Sequence, residues 1–161
     1  MIHIEPCCTS KTVPALLNRL GSTGTELWHG CADLTLADLL TPIFAGYNGG
    51  MDVMLVIPCM HRFLADAFRS LIGQKCISTL YILTDVRGAG DHPEINLVRL
   101  FPNNVILASH VIADTLLLLP DIAWWGNLGR GEHIGIATRD PLTIDSLRRS
   151  WIELITRYRI S

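Results

Sequence analysis

Apolar positions in the first half of the chain alternate between helix-like and strand-like blocks. Val13, Leu16, Leu17 and Leu20 share one side of a helix that Gly21 ends. Leu27 to Ala32 reads as a buried strand. Leu36, Leu39, Leu40, Ile43 and Phe44 then mark a second helical side, with Thr35 as its N-cap and Asp38 three residues later. Pro42 has no backbone donor, so it is expected to kink this helix or restart it from Thr41. Gly49-Gly50 turns the chain into Met51 to Pro58, an apolar run ended by proline and suited to a central strand. Phe63, Leu64, Ala67, Phe68, Leu71 and Ile72 form a third helical side that Gly73 ends, and Ile77 to Thr84 is the next buried strand. This order predicts parallel pairing, right-handed crossovers and helices over both faces of the sheet.

The second half has a different rhythm. Asn103-Asn104 precedes Val105 to His110, followed by Val111 to Leu119, Ile122 to Trp125 and Ile134 to Thr138. The turns between them, Pro120-Asp121 and Gly126 to Gly131, are short enough for antiparallel hairpins. A last helix follows, with Thr143 as its cap and Ile144, Leu147, Trp151, Leu154, Ile155 and Tyr158 as its apolar stripe. The expected fold class is α/β, with a mixed β-sheet flanked by helices on both faces, parallel early and antiparallel late.

Composition bounds this picture without naming a function. Of 161 residues, 49% are hydrophobic and only 17% charged, so the chain can bury a substantial core as one domain over residues 1–161. A formal charge of −2 argues against generalised binding to nucleic acid or an anionic membrane, and leaves room for a local basic patch. Met1 to Pro6 lacks the basic and apolar blocks of a signal peptide. Val105 to Trp125 is interrupted by His110, Asp114, Pro120 and Asp121, which suits buried strands better than a membrane span. Cys7, Cys8, Cys31, Cys59 and Cys76 are odd in number and show no CxxC spacing. They read as free thiols of a cytoplasmic protein, with no metal and no cofactor implied.

Several local patterns have two readings. His29, Cys31 and Asp33 alternate on one side of a strand, as a core strand or a metal or thiol site would. Arg148, Arg149, Arg157 and Arg159 cluster at the end of the chain as a solvated face or a weak anion patch. Gly126 to Gly131 spells Gly-x-x-Gly-x-Gly between two strands. A plain turn accounts for it, and a nucleotide-binding loop in a Rossmann-like ligand module is the alternative.

His110 to Glu132 carries the most specific pattern. His110 ends a strand, Asn127 follows seventeen positions later across a hairpin, and Glu132 opens the strand His133 to Thr138. This resembles one half of a phospholipase D-type site, whose motif is His-x-Lys, four residues, Asp, a Gly-Ser-x-Asn turn and then an acid before a strand. The similarity of pattern runs over residues 25–158. Ile112 stands in the lysine position, Leu117 in the aspartate position, and Trp124-Trp125 where the family has Gly-Ser.

In that family two motifs face each other across a pseudo-two-fold axis. One histidine attacks phosphorus and the other protonates the leaving group, so a chain with one motif must pair with a second copy. The resemblance implies His110 as nucleophile, Asn127 as phosphate-oxygen donor and Glu132 as the acid that orients the histidine. With the lysine absent, Arg130 is the nearby cation in sequence that would bind phosphate. The expected function is a catalytically inactive phospholipase D-like domain, homodimeric, in a binding or scaffolding role. The alternative is a phosphodiesterase of nuclease or phospholipase type that forms a phosphohistidine on His110 at a dimer interface. In either case a phosphodiester is the ligand class implied.

Overall fold

The computed structural model describes residues 13–30, 36–45, 47, 49–60, 62–85, 97–102, 104–108, 112–127 and 133–158. Helix α1 (Val13–Leu20) buries Val13, Leu16, Leu17 and Leu20, the side its spacing predicts. Gly21 closes it at φ 56°, a left-handed turn that glycine enters without a Cβ clash. Strand β1 is Thr25–Gly30 and helix α2 is Leu36–Phe44, which continues through Pro42 rather than restarting there. Pro42 lies in the last turn of α2, where it offers no N–H to the Asp38 carbonyl and its ring crowds that oxygen. The expected cap, Thr35, lies outside the described residues.

Strand β2 (Met51–Val56), helix α3 (Arg62–Gly73) and strand β3 (Ile77–Asp85) follow the predicted order. The end of α3 differs. Gly73 is its last helical residue, and Lys75 takes the left-handed position at φ 61°. Hydrogen bonds from Cys76 N to Leu71 O (2.9 Å) and from Lys75 N to Ile72 O (3.0 Å) close the Schellman turn. A one-turn helix α4 (Leu97–Leu100) leads to β4 (Val105–Ala108), β5 (Thr115–Leu118), β6 (Ala123–Asn127) and β7 (His133–Thr138).

Helix α5 (Pro141–Tyr158) ends the described chain. Its cap is Asp140, not Thr143: the Thr143 N–H donates to Asp140 Oδ2 at 2.9 Å, and the Thr143 hydroxyl bonds the same oxygen. Asp-Pro places the cap one residue before a proline at the first helical position, a stronger start signal than an internal threonine. These bonds hold the Asp140 carboxyl below its ordinary value, the Thr143 hydroxyl contributing most.

The seven described strands form one sheet in the order β1-β7-β6-β5-β2-β3-β4. β2, β3 and β4 are parallel, while β5, β6 and β7 join β2 through antiparallel pairs. One expectation fails here. β1 does not join the parallel group but pairs antiparallel with β7 at the far edge, Leu27 opposite Ile136. The hairpins β5–β6–β7 fill the space between, which an alternating βα pattern alone does not reveal.

Helices cover both faces, unequally. On one face Val53, Leu55, Leu80, Ile82, Leu117, Trp124 and Ala137 pack with the apolar sides of α1, α2 and α3. On the other, α5 lays Ile144 and Leu147 against Leu118, Ala123 and Met54, and Leu154 against Leu83 and Val56. Trp151 is 2% exposed and meets Tyr81 edge-on, ring centroids 5.8 Å apart. Among the described residues, no helix is long and apolar enough to cross a membrane.

Candidate functional site

Strand directions gather the chemistry-bearing sequence at one edge of the sheet. The C-terminal ends of β2, β3, β4 and β6 lie there, at Val56, Asp85, Ala108 and Asn127, with the N-terminal ends of β5 and β7 at Thr115 and His133. In open α/β sheets ligands bind at the carboxyl ends of the parallel strands. His110 follows β4 in sequence, and Arg130 and Glu132 lie between Asn127 and His133; all three are outside the described residues. Of the four named site residues, the structure places Asn127, exposed, at the last position of β6 opposite Ile134.

Buried polar groups concentrate at the same edge. Thr84, Asp85 and Thr115 are each no more than 3% exposed. The Thr84 hydroxyl donates to the Pro58 carbonyl at 3.4 Å, and the Ile112 N–H donates to Asp85 Oδ2 at 3.4 Å. A carboxylate buried at a central strand end must be held by donors, because its desolvation is otherwise prohibitive. Asp85 thus ties the end of β3 to the chain two residues beyond His110. In sequence the apolar run of β3 ends at Thr84, one residue short of it. An acid directly after eight strand residues was the available signal.

The positions that depart from the family motif are core positions. Ile112 is 7% exposed and clusters with Leu83, beside Val56 and Leu154. Leu117 is 0% exposed and faces the α1–α3 layer. Trp124 is 3% exposed, and its indole lies so close to Gly135 that a Cβ there would stand 2.4 Å from Cζ2. Trp125 is half-buried on the opposite face.

Of the remaining candidates, His29 lies on β1 opposite Ile134, at this same end of the sheet. Cys31, Asp33 and Arg159 are outside the described residues, and no group of three metal-ligating side chains occurs among the described ones. Arg148 is bound to Asp145 at 3.2 Å and reaches the carbonyls of Leu119 and Pro120, while Arg149 and Arg157 are exposed, as on a solvated face. A cleft of about 960 Å³ opens at the opposite edge, between α1, α2 and the β5–β6 turn, where Tyr47 donates to Asp121 beside Arg139.

No family model and no curated protein matches this chain. Solved structures do. NucT from Helicobacter pylori is similar at 16% identity with a TM-score of 0.60, over 82% of this chain and 96% of that one. A phospholipase D family member, Nuc from Salmonella typhimurium, is similar at 11% identity with a TM-score of 0.58, over 80% and 93%. The archaeal chromatin protein TrmBL2 is similar at 10% identity with a TM-score of 0.56, over 83% of this chain and 51% of that one. The fold is phospholipase D-like.

Proposed function

We propose that this chain is a phospholipase D-like domain that has lost phosphoryl-transfer catalysis and serves as a homodimeric binding or scaffolding module. The burial of Ile112 supports this reading most directly. A lysine at that position would neutralise phosphate oxygens in the transition state; an isoleucine packed with Leu83, Val56 and Leu154 supplies no charge and no donor. Losing one such donor costs about 2.7 to 4 kcal/mol of transition-state stabilisation, roughly a hundredfold to a thousandfold in rate, and a symmetric dimer would lose it twice. His110, Asn127 and Glu132 then stand as the remains of a phosphodiester site, with Arg130 as the cation nearest to it in sequence.

A binding role is in keeping with the likeness to half of TrmBL2, an archaeal chromatin protein described as showing a novel mode of DNA binding. The test is hydrolysis of bis-p-nitrophenyl phosphate and of single-stranded DNA by purified protein. No rate above buffer is expected for the natural chain or His110→Ala. Turnover that His110→Ala removes would replace this proposal with the phosphodiesterase alternative.

A further inference from the structure

The cleft at the edge opposite the motif combines an apolar floor with two charges that the fold leaves unmatched. Leu17 of α1 and Ile43 of α2 are buried in its lining, with Pro14 and Pro42 beside them. Its main volume is about 960 Å³, and a side pocket of about 350 Å³ continues toward the start of α5. Arg139 and Asp121 line both, so the two charges stand where the spaces meet. An apolar lining with a few polar groups, in a cleft of this size, is the usual form of a small-ligand site.

Those charges are opposite, yet they do not pair with each other. Asp121 Oδ1 accepts the Tyr47 hydroxyl, and among the described residues no other group donates to this carboxylate. Arg139 donates from Nη1 to the Gly21 carbonyl at 3.1 Å, and its Nε–H is buried without an acceptor. No carboxylate among the described residues pairs with it. A half-buried guanidinium without a counter-charge is costly, and its planar fork suits a carboxylate. The backbone around it is already fixed. Arg139 N donates to Gly24 O at 2.8 Å, Thr138 before it is buried, and Asp140 after it caps α5. Asp38 adds a second carboxylate to the lining, so a polyanion is repelled, whereas a single carboxylate joined to a cation is not.

We propose that this cleft binds a small zwitterion with an apolar body, an amino acid or dipeptide, its carboxylate on Arg139 and its ammonium on Asp121. The apolar side chains lie over Leu17 and Ile43. Asn127 is at the other end of β6, so this binding does not depend on the motif edge. Calorimetric titration of the whole chain with leucine and with leucylleucine tests it, beside the N-acetyl and amide forms of each and inorganic phosphate. One zwitterion per chain is expected to bind, and the tighter of the two fixes the length. Removing either ligand charge should weaken binding about tenfold or more, since each loss ends a charge-assisted hydrogen bond. Asp121→Asn keeps an acceptor for Tyr47 and removes the charge. It should cost the zwitterion about tenfold and the N-acetyl form nothing, while Arg139→Gln should cost the zwitterion as much and the amide form nothing. Circular dichroism checks folding; should Arg139→Gln not fold, the exposed Asp121 decides alone. Asp66→Asn, on exposed α3 surface, should change nothing. No heat with either zwitterion, phosphate bound as tightly, or an Asp121→Asn loss equal for all ligand forms would each overturn the site.

Discussion

Restoring the family's lysine, as Ile112→Lys, should damage this protein rather than awaken it. Ile112 is 7% exposed, and burying an isoleucine side chain is worth about 1.5 to 3 kcal/mol. Lysine's methylenes recover part of that contact, but its ammonium must leave water among Leu83, Val56 and Leu154, at several kcal/mol. Asp85 is the opposing consideration, since its carboxylate already accepts from the Ile112 N–H at 3.4 Å and would attract the ammonium. The attraction returns part of the desolvation cost, and a net loss of about 3 kcal/mol remains. In urea, with a slope near 2 kcal/mol per M, the unfolding midpoint should fall by about 1.5 M. Equilibrium unfolding followed by circular dichroism measures this. A variant that keeps its midpoint would show that Ile112 lines a wet pocket rather than a core, and the argument for lost catalysis would fall with it.

Other outcomes follow from the same packing. Gly135→Ala should lose about 1 to 3 kcal/mol, because the added methyl meets the buried Trp124 indole at 2.4 Å; an unchanged melting temperature would mean that the indole moves freely. Trp151→Ala should lose about 3 to 5 kcal/mol in a chemical melt, through its buried ring and its contact with Tyr81. Lys75→Gly should gain about 0.5 to 1 kcal/mol by relieving the left-handed backbone at φ 61°, and a loss would contradict that conformation. The Asp140 carboxyl is depressed by its bonds to Thr143. Its contribution to stability is therefore full above the ordinary carboxylate value and lost as pH falls through the lower folded one. The melting-temperature gap between the natural chain and Asp140→Asn should be constant above about pH 5 and close in acid.

Much of the fold is legible in the residue pattern, because each correctly read element has both its buried stripe and its stop signal in sequence. Val13 to Leu20 with Gly21, and Ile144 to Leu154 on α5, are of this kind. The position of β1 is not, since its pairing with β7 joins residues more than a hundred apart and no local spacing encodes it. The Thr143 cap failed for a nearer reason: Asp140-Pro141 made the better start, and the threonine became its donor. At the site, the isoleucine and tryptophans at the expected motif positions are buried or half-buried side chains, which their apolar character alone makes legible. Asp85 was invisible because an acid at a strand end looks like any turn residue until its burial is known.

Loss of chemistry from a phospholipase D-like fold is open to direct assay through turnover of bis-p-nitrophenyl phosphate by the purified protein, followed from pH 5 to 9 beside the His110→Ala variant. Identical traces at the buffer rate are expected. A rate that rises with protein concentration and vanishes in His110→Ala would contradict it.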